Sequence, residues 1–562
     1  MPQNSTPANT RPGEPDPGHT APRSRRTVLG AGAALVGGGL LAACSGGGSG
    51  SHAGMDGMNG DRSPGSGRVD PPGYVTPDGP EVAAAEKKRG SGPVRNVTLT
   101  ATPTWLDLGS RAVNSWAYGD ELPGKEVRVT AGDTLALTLA NHLPQSTSLH
   151  WHGLALRNDM DGVPGVTQRP IKAGASFDYR FAVTEPGTYW LHPHSGVQQD
   201  RGMYAPLIVE DPKEPLSYDK EWVVVLDDWI DGVDGSTPDA VLAELRKGMG
   251  TGSHSDSGQE GMDHGETDHG DMDMGDMEGD SSAEGGPSRM LMGATSKLLG
   301  GDAGDVDHPY HLVNGRTATD PQTFRAQPGD RIRIRFINAG GDTAYRVALG
   351  GHTMTVTHTD GYPVEHASTD ALLLGMGERY DVLVTAKDGA FPLTALAEGK
   401  KRSALAVLRT GAGAPPTSTT RPAELDGRLL TADRLKAAEG VRTDSRTPDR
   451  STTLTLTGSM AKYDWAIDRK PYTPDQRHPV LAGERVRLTF RNHTKMWHPM
   501  HLHGHTFALP DGGARKDTVI VLPGRSVTVD LDADNPGLWM LHCHNIYHSE
   551  SGMMTILGYR KK

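Results

Sequence analysis

The stretch Val127-Arg128-Val129-Thr130-Ala131-Gly132-Asp133-Thr134-Leu135-Ala136-Leu137-Thr138-Leu139-Ala140-Asn141 reads as a strand, a tight turn at Gly132 and a second strand. After the turn, Leu135, Leu137 and Leu139 alternate with smaller residues, which is the period of a half-buried strand. The same pattern returns at Phe324-Arg325-Ala326-Gln327-Pro328-Gly329-Asp330, running to Asn338, and at Val480-Leu481-Ala482-Gly483-Glu484, running to Asn492. Repeated units of this kind predict repeated domains. The register then holds without gaps: nine residues after each Asn come His150, Val347 and His501, and two further on His152, Leu349 and His503. A second block closes each unit. Gly187-Thr188-Tyr189-Trp190-Leu191-His192-Pro193-His194 aligns with Gly389 to Leu396 and with Gly537-Leu538-Trp539-Met540-Leu541-His542-Cys543-His544.

This predicts an all-β chain of three similar β-sandwich domains in series, at 94–213, 214–412 and 451–562, with a linker at 413–450. The composition agrees: 72 Gly, 40 Pro and 5% aromatics suit many short strands and turns. A formal charge of -12 argues against a nucleic-acid partner.

The first 43 residues read as an export signal. Ser24-Arg25-Arg26-Thr27-Val28-Leu29 is a twin-arginine pattern, and the Gly/Ala-rich run after it is too short and too weakly apolar to span a membrane. Leu41-Ala42-Ala43-Cys44 resembles a bacterial lipobox, so Cys44 is expected to carry a lipid on the outer face of the cytoplasmic membrane, the protein's only membrane contact. The alternative is an ordinary signal peptide with an incidental Cys. Residues 44–93, Ser/Gly-rich at first, then read as a flexible tether. Cys44 and Cys543 are the two cysteines of the chain, and with both committed elsewhere no disulfide is expected.

The first and third units carry four His-x-His pairs: His150/His152, His192/His194, His501/His503 and His542/His544. Residues i and i+2 of a strand share a face, so each pair presents two imidazoles together. One pair alone is more simply a solvent-facing or core feature; four at matching places are a metal cluster. Imidazole suits copper, zinc, iron or nickel, so the pairs leave the metal open. Cys543 decides it. Flanked by His542 and His544, it points to the opposite face, with His548 and Met553 downstream and His498 upstream. Two His, a thiolate and a weak axial Met make a blue-copper electron-transfer site. Donor site and cluster are then expected on the order of 10 Å apart, the thickness between packed sheet faces. At the aligned places the first unit has Thr147, Pro193 and Gln198, with only Met203 matching, so it can supply cluster ligands but no blue site.

His-Trp-His-Gly at 150–153, Trp-Leu-His-Pro-His at 190–194, His-Pro-Met-His-Leu-His-Gly at 498–504 and His-Cys-His-Asn-Ile-Tyr-His-Ser-Glu-Ser-Gly-Met at 542–553 resemble the four copper signatures of the multicopper oxidases. The resemblance covers the chain from about residue 94 onward. It implies cupredoxin-like Greek-key domains and four copper ions: type 2 on His150 and His501, a type 3 pair on His152, His192, His194, His503, His542 and His544, and type 1 on His498, Cys543, His548 and Met553. It implies catalytic roles for Cys543 in electron entry and for Asp161, in Asp-Met-Asp-Gly-Val-Pro-Gly, in proton supply as dioxygen is reduced to water. Where many bacterial relatives carry Glu after the second type 1 histidine, this chain has Ser549, then Glu550. Gly377-Glu378-Arg379-Tyr380-Asp381-Val382-Leu383 resembles the metal-free middle domain.

Residues 249–292 interrupt the second unit with Met, His, Asp and Gly, as in Gly261-Met262-Asp263-His264-Gly265. Such composition builds no core. It is an acidic solvated loop or a copper-collecting one; thioethers favour Cu(I), and repeated Met and His are not needed for solvation. The layout resembles lipoprotein copper-resistance oxidases of actinobacteria. Two reductants follow as expectations: Cu(I), in copper tolerance, or a phenol or aromatic amine, as in laccases. A non-catalytic copper store has no use for an oxygen site.

Overall fold

A computed structural model describes residues 72–248 and 286–561. Cys44 and the export signal lie outside the described residues, as does the Met/His-rich insert from 249 to 285. The body is built of three pairs of β-sheets. In the first pair, one sheet runs Ala112–Tyr118, Val94–Asp107, Thr134–Asn141, Ser176–Ala182; the other runs Val127–Thr130, Ala205–Glu210, Gly187–His192, His150–His152. Several sheet neighbours are not chain neighbours, such as Val94–Asp107 beside Thr134–Asn141 and Val127–Thr130 beside Ala205–Glu210, so those connections cross over between layers, as Greek-key sandwiches require. The third pair repeats this plan: Leu538–Cys543 lies between Met554–Tyr559 and His498–Leu502, and Thr518–Val521 forms the edge.

The repeat has a structural reason at both of its fixed residues. Gly132, Gly329 and Gly483 take φ of 99, 92 and 93°, a left-handed turn that side chains resist. Asn141, Asn338 and Asn492 are fully buried, and each amide donates to two carbonyls: Gln145 and Ile171, Thr343 and Leu374, Met496 and Val521. Each Asn thus ties its strand to the loop that leads to the ligand strand.

One apolar core runs through the first and third domains together, and a separate core fills the second. At the places where the outer domains have His, the middle domain buries Val347, Leu349 and Thr394.

The expected tether is shorter than 44–93. Pro80–Arg89 is a helix, Val75 and Val82 are buried, the Ala182 amide donates to Glu86 at 2.7 Å and Arg89 donates to Asn535 at 2.8 Å. These two valines give residues 72–93 an apolar anchor that the Ser/Gly-rich stretch before them lacks. The 413–450 linker is likewise packed down: Leu429–Leu430 pairs with Ala371–Leu374, and Leu425, Leu435 and Ala437 are buried.

Candidate metal centre

Strand pairing brings the histidines together. His150 lies opposite His192 in the first domain, and His501 opposite His542 in the third. The two ligand sheets meet, and their eight imidazoles form one nest. His194, His503 and His542 have ring centroids 4.9–5.2 Å apart. His152, His192 and His544 lie 4.9–5.8 Å apart. His150 and His501 are 5.9 Å apart, each stacked on the other's i+2 neighbour.

The outer nitrogens of six of these rings are occupied by the protein. Nδ1 donates to the carbonyl of Asp161 from His150, of Pro193 from His192, of Asp517 from His501 and of Cys543 from His542, all at 2.9–3.1 Å. His503 Nδ1 donates to Asp161 Oδ2 at 3.0 Å. With its proton on Nδ1, each ring turns an Nε2 lone pair inward. Nε2 of His150, His192, His194 and His501 is buried without a hydrogen-bond partner. Nε2 of His503 faces Nε2 of His542 at 3.1 Å, lone pair to lone pair. His152 is reversed: its Nε2 donates to Asp517 Oδ1 at 3.1 Å, and its Nδ1 faces His544 Nε2 at 3.2 Å. Converging lone pairs of this kind suit a cluster of cations. Burial and neighbouring histidines push His152, His192, His503, His542 and His544 well below the usual histidine range and His194 to about 3. The neutral ring is the ligating form.

On the other face of Leu538–Cys543, Cys543 Sγ lies 3.6 Å from Nδ1 of both His498 and His548, and those nitrogens are 3.0 Å apart. Thr494 Oγ1 holds Nε2 of His498 at 2.8 Å, and Asp305 holds Nε2 of His548 at 2.8 Å. Met553 is fully buried, and its carbonyl accepts from the Cys543 amide at 3.0 Å. At the matching place in the first domain, the Thr147 hydroxyl donates to Gln198 at 2.7 Å, filling the space with a hydrogen bond.

Three buried residues escaped the sequence reading. Asp517, at the head of the edge strand, accepts from His152 and takes a two-pronged ion pair from Arg379 at 2.7 and 2.6 Å. Burial raises the Asp517 carboxyl, but Arg379 and His152 outweigh it and hold it well below the usual carboxylate range. Arg379 belongs to the middle domain, where Gly377 also lies so close that a Cβ would stand 2.9 Å from His152. The middle domain, which supplies none of the eight histidines, therefore shapes the cluster. Asp305 is the third.

Asp161 is fully buried, with Oδ1 3.2 Å from His150 Nδ1. Ser549 is turned away, its hydroxyl bonded to the Ile546 carbonyl. Glu550, raised to about 6 by burial, lines a small cavity with His192, His194, His542 and His544, and also a cavity of 440 Å³ that opens beside His194.

Multicopper oxidase family models match residues 100–214, 221–413 and 445–561. The chain is 48% identical over 485 residues to the multicopper oxidase MmcO of Mycobacterium tuberculosis, covering 85% of this chain and 90% of that protein. It is 28% identical to a copper resistance protein A homolog of Pseudomonas syringae pv. tomato, covering 81% and 90%. Among solved structures, the laccase of Botrytis aclada superposes with a TM-score of 0.65 at 23% identity, over 84% of this chain and 88% of that one. Fet3p, a multicopper oxidase that functions in iron import, gives 0.64 at 22%, over 83% and 90%. These two show the fold, three cupredoxin domains. The chain is thus a member of the multicopper oxidases, copper-dependent oxidoreductases that use dioxygen and a reductant.

Proposed function

We propose that the chain oxidises Cu(I) at the cost of dioxygen, in the service of copper tolerance, with four coppers on the residues above. In this reading His498, Cys543 and His548, with Met553, would hold type 1; His150 and His501 would hold type 2; and the triads His152/His192/His544 and His194/His503/His542 would hold the type 3 pair. When bound, these ions take single electrons at type 1 and deliver four to dioxygen at the cluster. The chain's own part is positional. Strand Leu538–Cys543 carries His542 and Cys543 back to back, so backbone links the two centres directly. Asp161 and Asp517 fix the outer nitrogens of the cluster rings, and Asp161 is the carboxyl set between His150 and His503 to pass protons inward. Glu550 takes the side of the type 3 histidines where Ser549 supplies no acid.

One observation supports the choice of Cu(I): the chain leading into the Met/His-rich insert packs on the third domain, close to the helix Ile546–Glu550 that carries His548. On the leading stem, Arg246 donates to the Glu550 carbonyl, and Gly248 is packed on Ala461. Further along the returning chain, well past the insert, Ala303 O accepts from Trp497, next to His498, and Asp305 bonds His548. Weak thioether and imidazole ligands tethered there raise the local concentration of Cu(I) at the electron-entry edge. The laccase-type reading, with a phenol or aromatic amine as reductant, is the alternative.

Deleting residues 254–288 decides between them. Oxygen uptake with limiting Cu(I) should fall, while phenol oxidation stays level or rises. Unchanged kcat/KM for Cu(I), together with fast phenol turnover by the intact protein, would replace Cu(I) by phenols.

The lipobox sequence Leu41-Ala42-Ala43-Cys44 supports a further element of the proposal, export by the twin-arginine route and lipid anchoring through Cys44.

A further inference from the structure

The His548 ring and the helix that carries it are both held by the middle domain, through a continuous buried network. The ring donates from Nε2 to Asp305 Oδ2 at 2.8 Å, and the same oxygen accepts from Tyr463 at 2.8 Å. Asp305 is itself pinned: its amide and that of Val306 donate to the Asp342 carboxylate at 3.0 Å. Lys400 pairs with Asp342 at 2.7 Å. Asp342 also accepts from the Asn545 amide at 2.6 Å, and Asn545 Oδ1 in turn accepts the backbone amides of Tyr547 and His548. Asp305, Asp342, Asn545 and His548 are at most 2% exposed. His498, by contrast, rests only on a neutral hydroxyl, that of Thr494.

We infer that Asp305 is a positioning residue that sets the reduction potential of the type 1 copper, so that a domain without copper of its own governs electron entry. A carboxylate behind an imidazole makes the ring more basic and fixes its plane. A more basic ligand favours Cu(II) over Cu(I) and lowers the potential. Tyr463 opposes this, because its hydroxyl draws on the same oxygen that His548 uses. The two neighbours therefore pull in opposite senses, which a purely structural pair would not do.

The inference rests on the type 1 assignment of the preceding section. The experiment is redox titration of the thiolate-to-copper charge-transfer band in the copper-loaded full chain, as wild type, Asp305→Asn, Tyr463→Phe and Asp307→Asn. Asp305→Asn should raise the potential by about 59 mV, the equivalent of a tenfold shift in the Cu(II)/Cu(I) affinity ratio. Tyr463→Phe should lower it. Asp307, about 40% exposed and paired with Arg402, should leave it unmoved. Opposite signs support the role. Unmoved potentials in both variants, or shifts of one sign, overturn it. If Asp305→Asn fails to fold, the sign of Tyr463→Phe decides alone. A wild type with no such band would end the type 1 assignment itself, whereas a wild-type band with unmoved variants ends only the role of Asp305.

Discussion

Replacing Arg379 by Met tests whether the middle domain holds the cluster together. Arg379 and Asp517 are both fully buried. Besides the paired contacts to Asp517, the guanidinium donates to the carbonyls of Thr188 and Gly377 at 3.1 and 3.0 Å. Met fills most of the stem's volume, so the change isolates the charge and its hydrogen bonds. Breaking a buried pair from one side costs about 3–5 kcal/mol, because the remaining charge keeps its burial and loses its partner. Taking about 4 kcal/mol, the folding equilibrium of the copper-free protein moves by roughly three powers of ten. At about 3 kcal/mol/M, that is roughly 1.3 M in the urea midpoint of the transition involving this interface. Copper-free protein is the right sample, since bound metal adds its own stabilisation. The loaded variant gives the second readout. His152 and His501 lose the fixed acceptor that orients them, so cluster copper should be about 10–100-fold easier to remove with a chelator. Type 1 copper, on the other face of the sheet, should be retained. A urea midpoint within about 0.3 M of wild type, with equal chelator resistance, would show that the ion pair is incidental to the site.

Cys543→Ser should remove the thiolate charge-transfer band, lower the copper count by one and cut turnover by at least about 100-fold; a blue, active variant would sink the type 1 assignment. Asp161→Asn should slow dioxygen reduction by about 100-fold or more, in the range of general-acid loss, while stopped-flow reduction of the blue site is unaffected. Equal loss in both half-reactions would assign Asp161 to structure instead of proton supply. Cys44→Ala should leave the protein in the soluble exported fraction or unprocessed, and a wild-type protein wholly free of membranes would rule out the anchor.

The repeat carried most of what could be read from sequence. Gly132, Gly329 and Gly483 are needed for a left-handed turn, and Asn141, Asn338 and Asn492 for paired carbonyls, so they mark equivalent backbone in all three units. His-x-His is readable because a strand's period of two is a local rule. Asp305, Arg379 and Asp517 were not readable in this way. Their partners stand 243 and 138 residues away, and a lone Asp or Arg in a strand-rich chain has the same local appearance whether it is solvated or buried. With Val347, Leu349, Thr394 and Leu396 at the places of the ligand histidines, the middle domain reads from sequence as metal-free and nothing more. Yet its Gly377 packs on His152, its Arg379 pairs with Asp517 and its Asp305 bonds His548. Residues 72–93 were assigned to a tether because their charged helix has only Val82 buried and no apolar stripe.

The two stems of the insert also touch each other. Glu244, in the helix Pro238–Leu245, accepts from the Ser288 hydroxyl and from the Arg289 amide, and Gly235 lies against Gly286. The chain therefore departs and returns through a single closed collar. For a segment closed at such a point, doubling the length raises the closure free energy by only about 0.6 kcal/mol. Length and composition between residues 248 and 286 are then nearly free variables for the fold. Selection can add, remove or exchange thioether and imidazole groups between those two residues in single steps without touching the contacts that close the collar. The collar makes the composition of the insert separable from the folding of the domains around it.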